Sequence, residues 1–241
     1  MLHTVNAQTM LRIEDLSVSY GSVQALEGVN LEVAARGVLH GIIGPNGAGK
    51  STLMDAITGR RKPTRGRVFV NGENITQRSV TWRRRAGMSR SFQRTSIFPG
   101  LTVREQLELV ASQLGEPDLA EIVDAFELHA ALDEPADSIA NGDQRRVDIA
   151  LAMVGKPSLM LLDEPAAGLS TAETVALFEH LVKLVRHRGV TALVVEHDVD
   201  AVFRFCDDIT ALDLGQLLIT GKPDAVRGDP RVIAAYLGTA G

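Results

Sequence analysis

A chain of 241 residues is long enough for one α/β domain with a sizeable core, or for one domain with two lobes. Hydrophobic residues make up 45% and charged residues 23%, a composition that excludes a disordered or fibrous protein. The net charge of −5 argues against a nucleic-acid-binding protein, which is expected to carry a basic surface.

The single cysteine and the short apolar runs limit where in the cell the protein is expected to be. Cys206 is the one cysteine, so no intramolecular disulfide forms, which fits a reducing cytoplasm. The first ten residues lack the basic and apolar segments of a signal peptide. The apolar runs, such as residues 159–162, are far shorter than the ~20 residues that a membrane span needs. We therefore expect any membrane role to come through partner subunits.

The first third of the chain predicts strands around a glycine-rich loop. Residues 11–36 alternate in the manner of strands. The apolar run over residues 38–43 predicts a buried parallel strand that leads into the loop and then into a helix from Lys50 onward. Residues 65–72 predict a further strand that ends in a turn at Asn71-Gly72.

Charge divides the middle of the chain into two blocks. Residues 60–94 contain eleven Lys or Arg against one acid, and residues 104–143 contain eleven acids against one Arg. The simplest interpretation of both blocks is a pair of solvated faces. The acidic stretch over about residues 102–135 has a helical pattern, which predicts an inserted helical lobe.

The last hundred residues alternate helices with buried strands. After Gly142 we expect a helix, then a buried strand over residues 159–162 and a long amphipathic helix that stops at Gly189. A third buried strand ends at Glu196-His197, and a strand pair within residues 208–221 precedes a short C-terminal helix. This alternation predicts an α/β fold with a largely parallel sheet and helices on both faces.

The glycine-rich loop fits the phosphate-binding pattern G-x-x-x-x-G-K-[ST] at every fixed position. Glycines let successive backbone N–H groups point at one anion, and the following helix adds its positive end. Lys50 is placed to reach the β- and γ-phosphates, and the Ser51 hydroxyl is placed to bind Mg²⁺. A chance glycine loop is disfavoured by the strand before it and the helix after it. The matching residues are Gly44, Pro45, Asn46, Gly47, Ala48, Gly49, Lys50 and Ser51.

Acidic and imidazole side chains follow two of the predicted buried strands. Asp163 is placed to hold Mg²⁺ through water, and Glu164 is placed to polarise the attacking water. A lone His after a strand is more often structural, but His197 ends a strand of the same sheet and could reach the γ-phosphate. Glu196 is a competing base, yet alternation along the strand points it away from His197. We therefore prefer Glu164.

Three elements, GPNGAGKST, LLDEP and the strand-end His197, together resemble the nucleotide-binding subunits of ABC transporters. The resemblance covers about residues 11–238. It implies a P-loop NTPase core with a mainly parallel sheet, an N-terminal antiparallel β subdomain and an inserted helical lobe. It also implies one domain over residues 1–241, with the catalytic core at about 1–95 and 155–241 and the helical subdomain at about 96–154.

The resemblance assigns roles to further positions. Tyr20 matches the aromatic residue that stacks on adenine, and Gln93 matches the glutamine that senses Mg²⁺ and the γ-phosphate. The implied catalytic residues are Lys50, Gln93, Glu164 and His197. The implied ligands of Mg²⁺ are Ser51, Gln93 and Asp163. Nucleotide contacts are expected along the loop from Gly44 to Thr52 and, from the opposing subunit of a head-to-tail dimer, at Ala140, Asn141, Gly142 and Asp143.

Several residues depart from the family pattern, among them Ala140, Asp143 and Ser170. Ala140 stands where the signature, usually LSGGQ, has serine, and this removes a hydroxyl that could bond the γ-phosphate. Asp143 replaces glutamine, which suits a helix N-terminus but repels phosphate if it turns inward. Ser170 stands where the segment over residues 167–170 usually ends in Asp. All three replacements bear on how tightly such a dimer closes.

Within the family, several segments look like the ATPases of branched-chain amino-acid uptake systems. They are residues 85–107, 140–153, 163–170 and the ending DPRVIAAYLG. ATPases of urea uptake and lipopolysaccharide export share much of this pattern. The resemblance implies an ATPase that binds ATP and Mg²⁺ at the cytoplasmic face of the plasma membrane, with permease subunits, a second ATP-binding subunit and, indirectly, a solute-binding protein as partners.

Two classes of function compete with a transporter subunit. Soluble ABC ATPases that act on DNA or ribosomes usually carry long insertions or two cassettes, whereas this chain has one cassette and no heptad run. A regulatory module that binds ATP without turnover is favoured by the altered signature. The intact Glu164 and His197 weigh against it.

Overall fold

Two β-sheets organise the chain in the computed structural model, which describes residues 9–91, 96–116 and 119–237. The smaller sheet is antiparallel and has the strand order β2-β1-β4-β5. Its strands alternate between buried and exposed residues, because one face covers the core and the other meets solvent. The strands are β1 (Thr9–Tyr20), β2 (Val23–Ala34), β4 (Arg65–Val70) and β5 (Glu73–Asn74).

The larger sheet has the order β10-β9-β3-β8-β7-β6 among the described residues. Its first strand, β10, runs antiparallel to β9, and the other neighbours pair in parallel. Every residue of β3, β7 and β8 is buried, because helices and the smaller sheet cover both faces. The strands are β3 (Leu39–Ile43), β6 (Met88–Ser91), β7 (Leu159–Asp163), β8 (Thr191–Val195), β9 (Asp208–Asp213) and β10 (Gln216–Gly221).

Helices follow the strands of the larger sheet. The longest, α6, begins after a reciprocal cap between Ser170 and Glu173 and ends at Gly189, whose φ of 65° is favourable for glycine. The helices of the core are α1 (Lys50–Thr58), α2 (Val80–Arg85), α6 (Thr171–Arg188), α7 (Val199–Phe205), α8 (Pro223–Arg227) and α9 (Pro230–Leu237). None of the helices in the described ranges is both long and apolar enough to span a membrane.

A helical lobe lies between β6 and β7. It contains α3 (Val103–Leu114), α4 (Ala120–Ala125), a 3₁₀ turn (His129–Ala131) and α5 (Asn141–Met153). The helical pattern predicted over about residues 102–135 is confirmed by α3 and α4, but residues 126–135 form a 3₁₀ turn and no further α-helix, because Glu127 takes a φ of 52° and interrupts the run. Strand β6 and helix α2 were not predicted. The boundaries at about residues 96 and 154 stay a prediction.

The two faces of the larger sheet have separate apolar clusters. One cluster joins the sheet to the helical lobe and α6, so the lobe is packed onto the core and shares its interior. The other cluster joins the opposite face to the antiparallel sheet and α1. This arrangement confirms the predicted α/β fold class, with an antiparallel subdomain, a mainly parallel sheet and a helical lobe.

Candidate nucleotide-binding site

The loop between β3 and α1 is held tightly against neighbouring backbone. A Cβ added to Gly44 would lie 2.2 Å from the Leu212 carbonyl oxygen. A Cβ on Gly49, which has a φ of 100°, would lie 2.8 Å from the Ala25 carbonyl oxygen. Any side chain at either position would therefore displace the backbone, so the glycine pattern is a packing requirement of this loop.

Lys50 is the first residue of α1, and its side chain folds back over the loop. Its Nζ donates to the carbonyl oxygens of Gly44 at 2.6 Å and Pro45 at 3.0 Å. Burial lowers the pKa of the Lys50 amine, whereas the nearby charges of Glu164 and Asp163 raise it. The structure therefore brings the lysine of the loop close to the two strand-end acids.

Glu164 and His197 meet at the carboxyl edge of the larger sheet. Glu164 follows β7 with a φ of 50°, and its N–H donates to the Val195 carbonyl oxygen at 2.8 Å. Its Oε1 lies 2.9 Å from Nε2 of His197, which follows β8. The backbone bond and the imidazole contact together fix where this carboxylate points, in a site where His197 is half exposed.

Glu196 has a different environment from its neighbour His197. It is buried, with 4% exposure, and its two carboxylate oxygens accept from the N–H of Ala166 at 2.6 Å and of His197 at 3.2 Å. Burial raises the pKa of this carboxyl group. Glu196 therefore holds the backbone after β7, whereas Glu164 faces the accessible edge.

Arg145, in α5, is a residue that sequence reasoning missed. It is buried, and its guanidinium donates to the carbonyl oxygens of Pro165 at 2.7 Å, Asp163 at 3.0 Å and Glu164 at 2.5 Å. Arg145 therefore links the helical lobe to the backbone that carries both strand-end acids. An arginine among the buried positions of a helix was the available signal, because such a residue needs several acceptors.

The oxygen groups near the loop fit Mg²⁺ chemically. The Ser51 hydroxyl is in the first turn of α1, which packs against β7, and β7 ends in the Asp163 carboxylate. Mg²⁺ prefers hard oxygen ligands and is commonly held by one or two carboxylates with phosphates and water. Ser51 and Asp163 are thus a suitable donor set. Gln93, the third expected ligand, lies outside the described residues.

The two tyrosines, Tyr20 and Tyr236, lie near opposite ends of the chain, and Tyr236 contacts the loop. Tyr20 ends β1, is 43% exposed, and has the Arg61 guanidinium 4.1 Å from its ring centroid. Tyr236, in α9, is half-buried, and its hydroxyl is hydrogen-bonded by the backbone of Gly44. Burial raises the pKa of the Tyr236 hydroxyl. The contact of Tyr236 was not predicted, because nothing local in the sequence connects positions 192 residues apart.

Comparison with known proteins gives a consistent result. The family model described as ABC transporter matches residues 26–167. LivG, the high-affinity branched-chain amino acid transport ATP-binding protein of Escherichia coli K12, is 34% identical over 97% of this chain and 100% of its own length. The chain belongs to the ABC transporter ATP-binding family. It is therefore an ATP-binding subunit and an ATPase of that family.

Other relatives of this ABC ATPase cover the chain as fully. BraF of Pseudomonas aeruginosa, named for the same transport, is 33% identical over 97% of this chain and 100% of its own. The lipopolysaccharide export protein LptB of Haemophilus influenzae is 30% identical over 95% and 98%. The ATP-binding cassette MJ1267, in its ADP conformation, has a TM-score of 0.86 and 30% identity, covering 95% of this chain and 99% of its own. A model described as branched-chain amino acid ATP-binding cassette transporter matches residues 216–241.

The segment predicted to be the family signature lies at the start of α5. Ala140 is its N-cap and provides no side-chain hydrogen bond to the helix. Asp143, in the first turn, forms an ion pair with Arg146, so its charge is balanced within the helix. A Cβ on Gly142 would lie 3.0 Å from Oε1 of Glu173, which places the segment beside the start of α6.

Ser170 retains a structural role that the usual aspartate can also fill. Its hydroxyl accepts from the N–H of Glu173 at 3.4 Å, and the Glu173 carboxylate accepts from the N–H of Ser170 at 2.8 Å. Serine and aspartate are both favourable N-cap residues. The replacement therefore preserves the helix start and removes only the charge.

Proposed function

We propose that this ABC ATPase drives the uptake of branched-chain amino acids. The observation that carries the proposal is the match of its C-terminal residues 216–241 to the branched-chain model, joined to the nearly full-length likeness to LivG and BraF. Lipopolysaccharide export is the second candidate, because LptB is 30% identical over 95% of the chain. Urea uptake stays an alternative from the sequence.

For hydrolysis, we propose that the loop from Gly44 to Thr52 binds the phosphates and that Lys50 balances their charge. Ser51 and Asp163 would hold Mg²⁺, which neutralises phosphate charge when bound. Glu164 orients the attacking water, and His197, 2.9 Å from it, stabilises the transferred group and fixes the carboxylate. Gln93 as a sensor and Tyr20 as the adenine platform remain part of this proposal.

We infer that the active form is a head-to-tail dimer in which Ala140, Asn141, Gly142 and Asp143 face the nucleotide of the opposing subunit. The dimeric, post-hydrolysis structure of the ATP-binding cassette MJ0796 with ADP and phosphate has a TM-score of 0.76 and 28% identity, covering 89% of this chain and 99% of its own. That likeness supports the dimer. The partner is a second copy or a related ATPase subunit.

We propose that a permease subunit docks at the junction of the core and the helical lobe. A groove of about 530 Å³ opens there, and α2, β6, α3 and α5 all contribute to it. Its lining combines apolar Val80, Val110 and Leu151 with Arg84. An occupant of this groove would contact both parts at once, so lobe movement would reach the membrane subunits. In this proposal the protein lies at the cytoplasmic face of the membrane and is held there by its partners.

The test is to purify the tagged protein from gently solubilised native membranes and to identify its partners by mass spectrometry. We expect two polytopic subunits, a second ATPase and, through them, a solute-binding protein that binds leucine, isoleucine or valine in a ligand screen. Recovery with lipopolysaccharide-export components would favour the second candidate. Recovery only from the soluble fraction would contradict the transporter role.

A further inference from the structure

Arg90 lies in β6, next to the strand that carries Asp163. Strands β6 and β7 pair in parallel, with Arg90 opposite Leu161. Its Nη2 donates to Oδ2 of Asp163 at 2.8 Å. The two side chains are largely buried, with exposures of 9% and 11%. The carboxylate proposed to hold Mg²⁺ is therefore already engaged by a permanent positive charge.

The same guanidinium also binds a second acid. Nη1 of Arg90 donates to Oδ1 of Asp55 at 2.5 Å and lies 3.3 Å from the Thr58 hydroxyl. Asp55 belongs to α1, the helix that begins with Lys50 and Ser51. Arg90 thus bridges the phosphate-binding helix and the strand-end acid, and Asp55 shares the guanidinium with Asp163.

Because the Arg90–Asp163 pair is largely buried, its charges affect a cation bound at Asp163. Salt and water screen charges in a largely buried pair much less than charges on the surface. A cation at Asp163 must share the carboxylate with the guanidinium and is repelled by its charge. Loss of the Arg90 charge should strengthen the cation site, whereas loss of the Asp55 charge should weaken it, since Arg90 is then released toward Asp163.

We propose that Arg90 is a positioning residue that sets the Mg²⁺ requirement of nucleotide binding by competing with the cation for Asp163, and that Asp55 tunes this competition. The proposal rests on the assignment of Ser51 and Asp163 to Mg²⁺. Strand β6 thereby has a role at the nucleotide site, although Arg90 itself does not contact the phosphates in this proposal.

The experiment measures equilibrium binding of a fluorescent, non-hydrolysable ATP analogue to the full chain while free Mg²⁺ is varied with a chelator buffer. The readout is the Mg²⁺ concentration that gives half of the maximal binding. We compare the unchanged protein with Arg90→Gln, Arg90→Lys, Asp55→Asn and the double variant that combines Arg90→Gln with Asp55→Asn. Arg104→Gln is the matched control, because it breaks an exposed Arg–Asp pair with Asp133 in the helical lobe.

We expect Arg90→Gln to lower the half-saturating Mg²⁺ concentration by about three- to tenfold, since one nearby positive charge is removed. Arg90→Lys keeps the charge and should restore most of the original value. Asp55→Asn should raise the value by roughly two- to fivefold for the same electrostatic reason. In the Arg90→Gln background, Asp55→Asn should shift the half-saturating Mg²⁺ concentration by less than half as much as it does in the unchanged protein, because the two residues act through one bridge.

An unchanged or raised half-saturating concentration in Arg90→Gln would overturn the proposal. The proposal would also be overturned if Asp55→Asn and Arg90→Gln shifted the half-saturating Mg²⁺ concentration in the same direction. A general loosening of the site would have that effect, because it would change both variants alike. If Arg90→Gln does not fold, the Asp55→Asn measurement decides by its sign. Failure of the unchanged protein to bind the analogue at any Mg²⁺ concentration would instead contradict the nucleotide site itself.

Discussion

The glycine-rich loop and the signature segment, which in the proposed dimer contact each nucleotide from opposite subunits, differ in how completely they match the family pattern. The loop has every fixed residue of its pattern, backbone packing that excludes side chains at Gly44 and Gly49, and Lys50 bonded across it. The signature segment begins at Ala140 without a side-chain cap, and Asp143 pairs with Arg146. We therefore expect one chain alone to bind ATP and expect closure onto a second chain to be the weaker step.

The largest effect is expected from Lys50→Ala. This change removes the charge beside the phosphates and should weaken ATP affinity by at least about a hundredfold, the equivalent of roughly 2.7 kcal/mol. Titration with a fluorescent ATP analogue measures it. Lys183→Ala, at an exposed position of α6, is the control and should bind normally. Unchanged affinity in Lys50→Ala would remove the lysine from the phosphate site.

Glu164→Gln should separate binding from hydrolysis. We expect ATP affinity to stay near normal while turnover falls by about a hundred- to a thousandfold, because the amide no longer accepts a proton from water. The ATP-bound dimer should accumulate and be visible by size-exclusion chromatography. Glu196→Gln should lower turnover far less, since that buried carboxylate holds backbone amides. Near-normal turnover in Glu164→Gln would exclude Glu164 as the base.

Repair of the signature tests the weaker region directly. Ala140→Ser returns the hydroxyl that can bond the γ-phosphate of the opposing nucleotide, a hydrogen bond worth about 1 kcal/mol, and Asp143→Gln brings the segment closer to the usual pattern. In the Glu164→Gln background we expect the ATP concentration for half-maximal dimer formation to fall about fivefold, the equivalent of that energy. Analytical ultracentrifugation across an ATP series measures this. No change, or weaker dimer formation, would show that the signature does not limit closure.

The smallest effect is expected from Tyr236→Phe, which keeps the ring and removes the hydroxyl that the Gly44 backbone bonds. Loss of one such hydrogen bond should weaken ATP affinity by about two- to fivefold, the equivalent of ~0.5–1 kcal/mol. Calorimetric titration with ATP measures it. The C-terminal helix would be shown to be independent of the loop if the affinity is unchanged.

The sequence by itself determined the fold class and the positions of the local motifs. Buried strands appear as apolar runs, and the helix that begins at Lys50 and the stop at Gly189 depend on neighbouring residues only. The phosphate-binding pattern is local for the same reason, because one short loop supplies all of its backbone groups. Pattern alone was less successful over residues 120–135, where Glu127 ends a helix through its backbone conformation.

Only the tertiary structure decided which distant side chains meet around these motifs. Arg145 reaches the carbonyl oxygens after β7, Arg90 bridges Asp55 and Asp163, and Tyr236 contacts the loop from the other end of the chain. Such contacts depend on strand order and on how the lobe packs, which local periodicity does not encode. A buried arginine or tyrosine finds its acceptors or donors across the fold, because desolvation without them is costly.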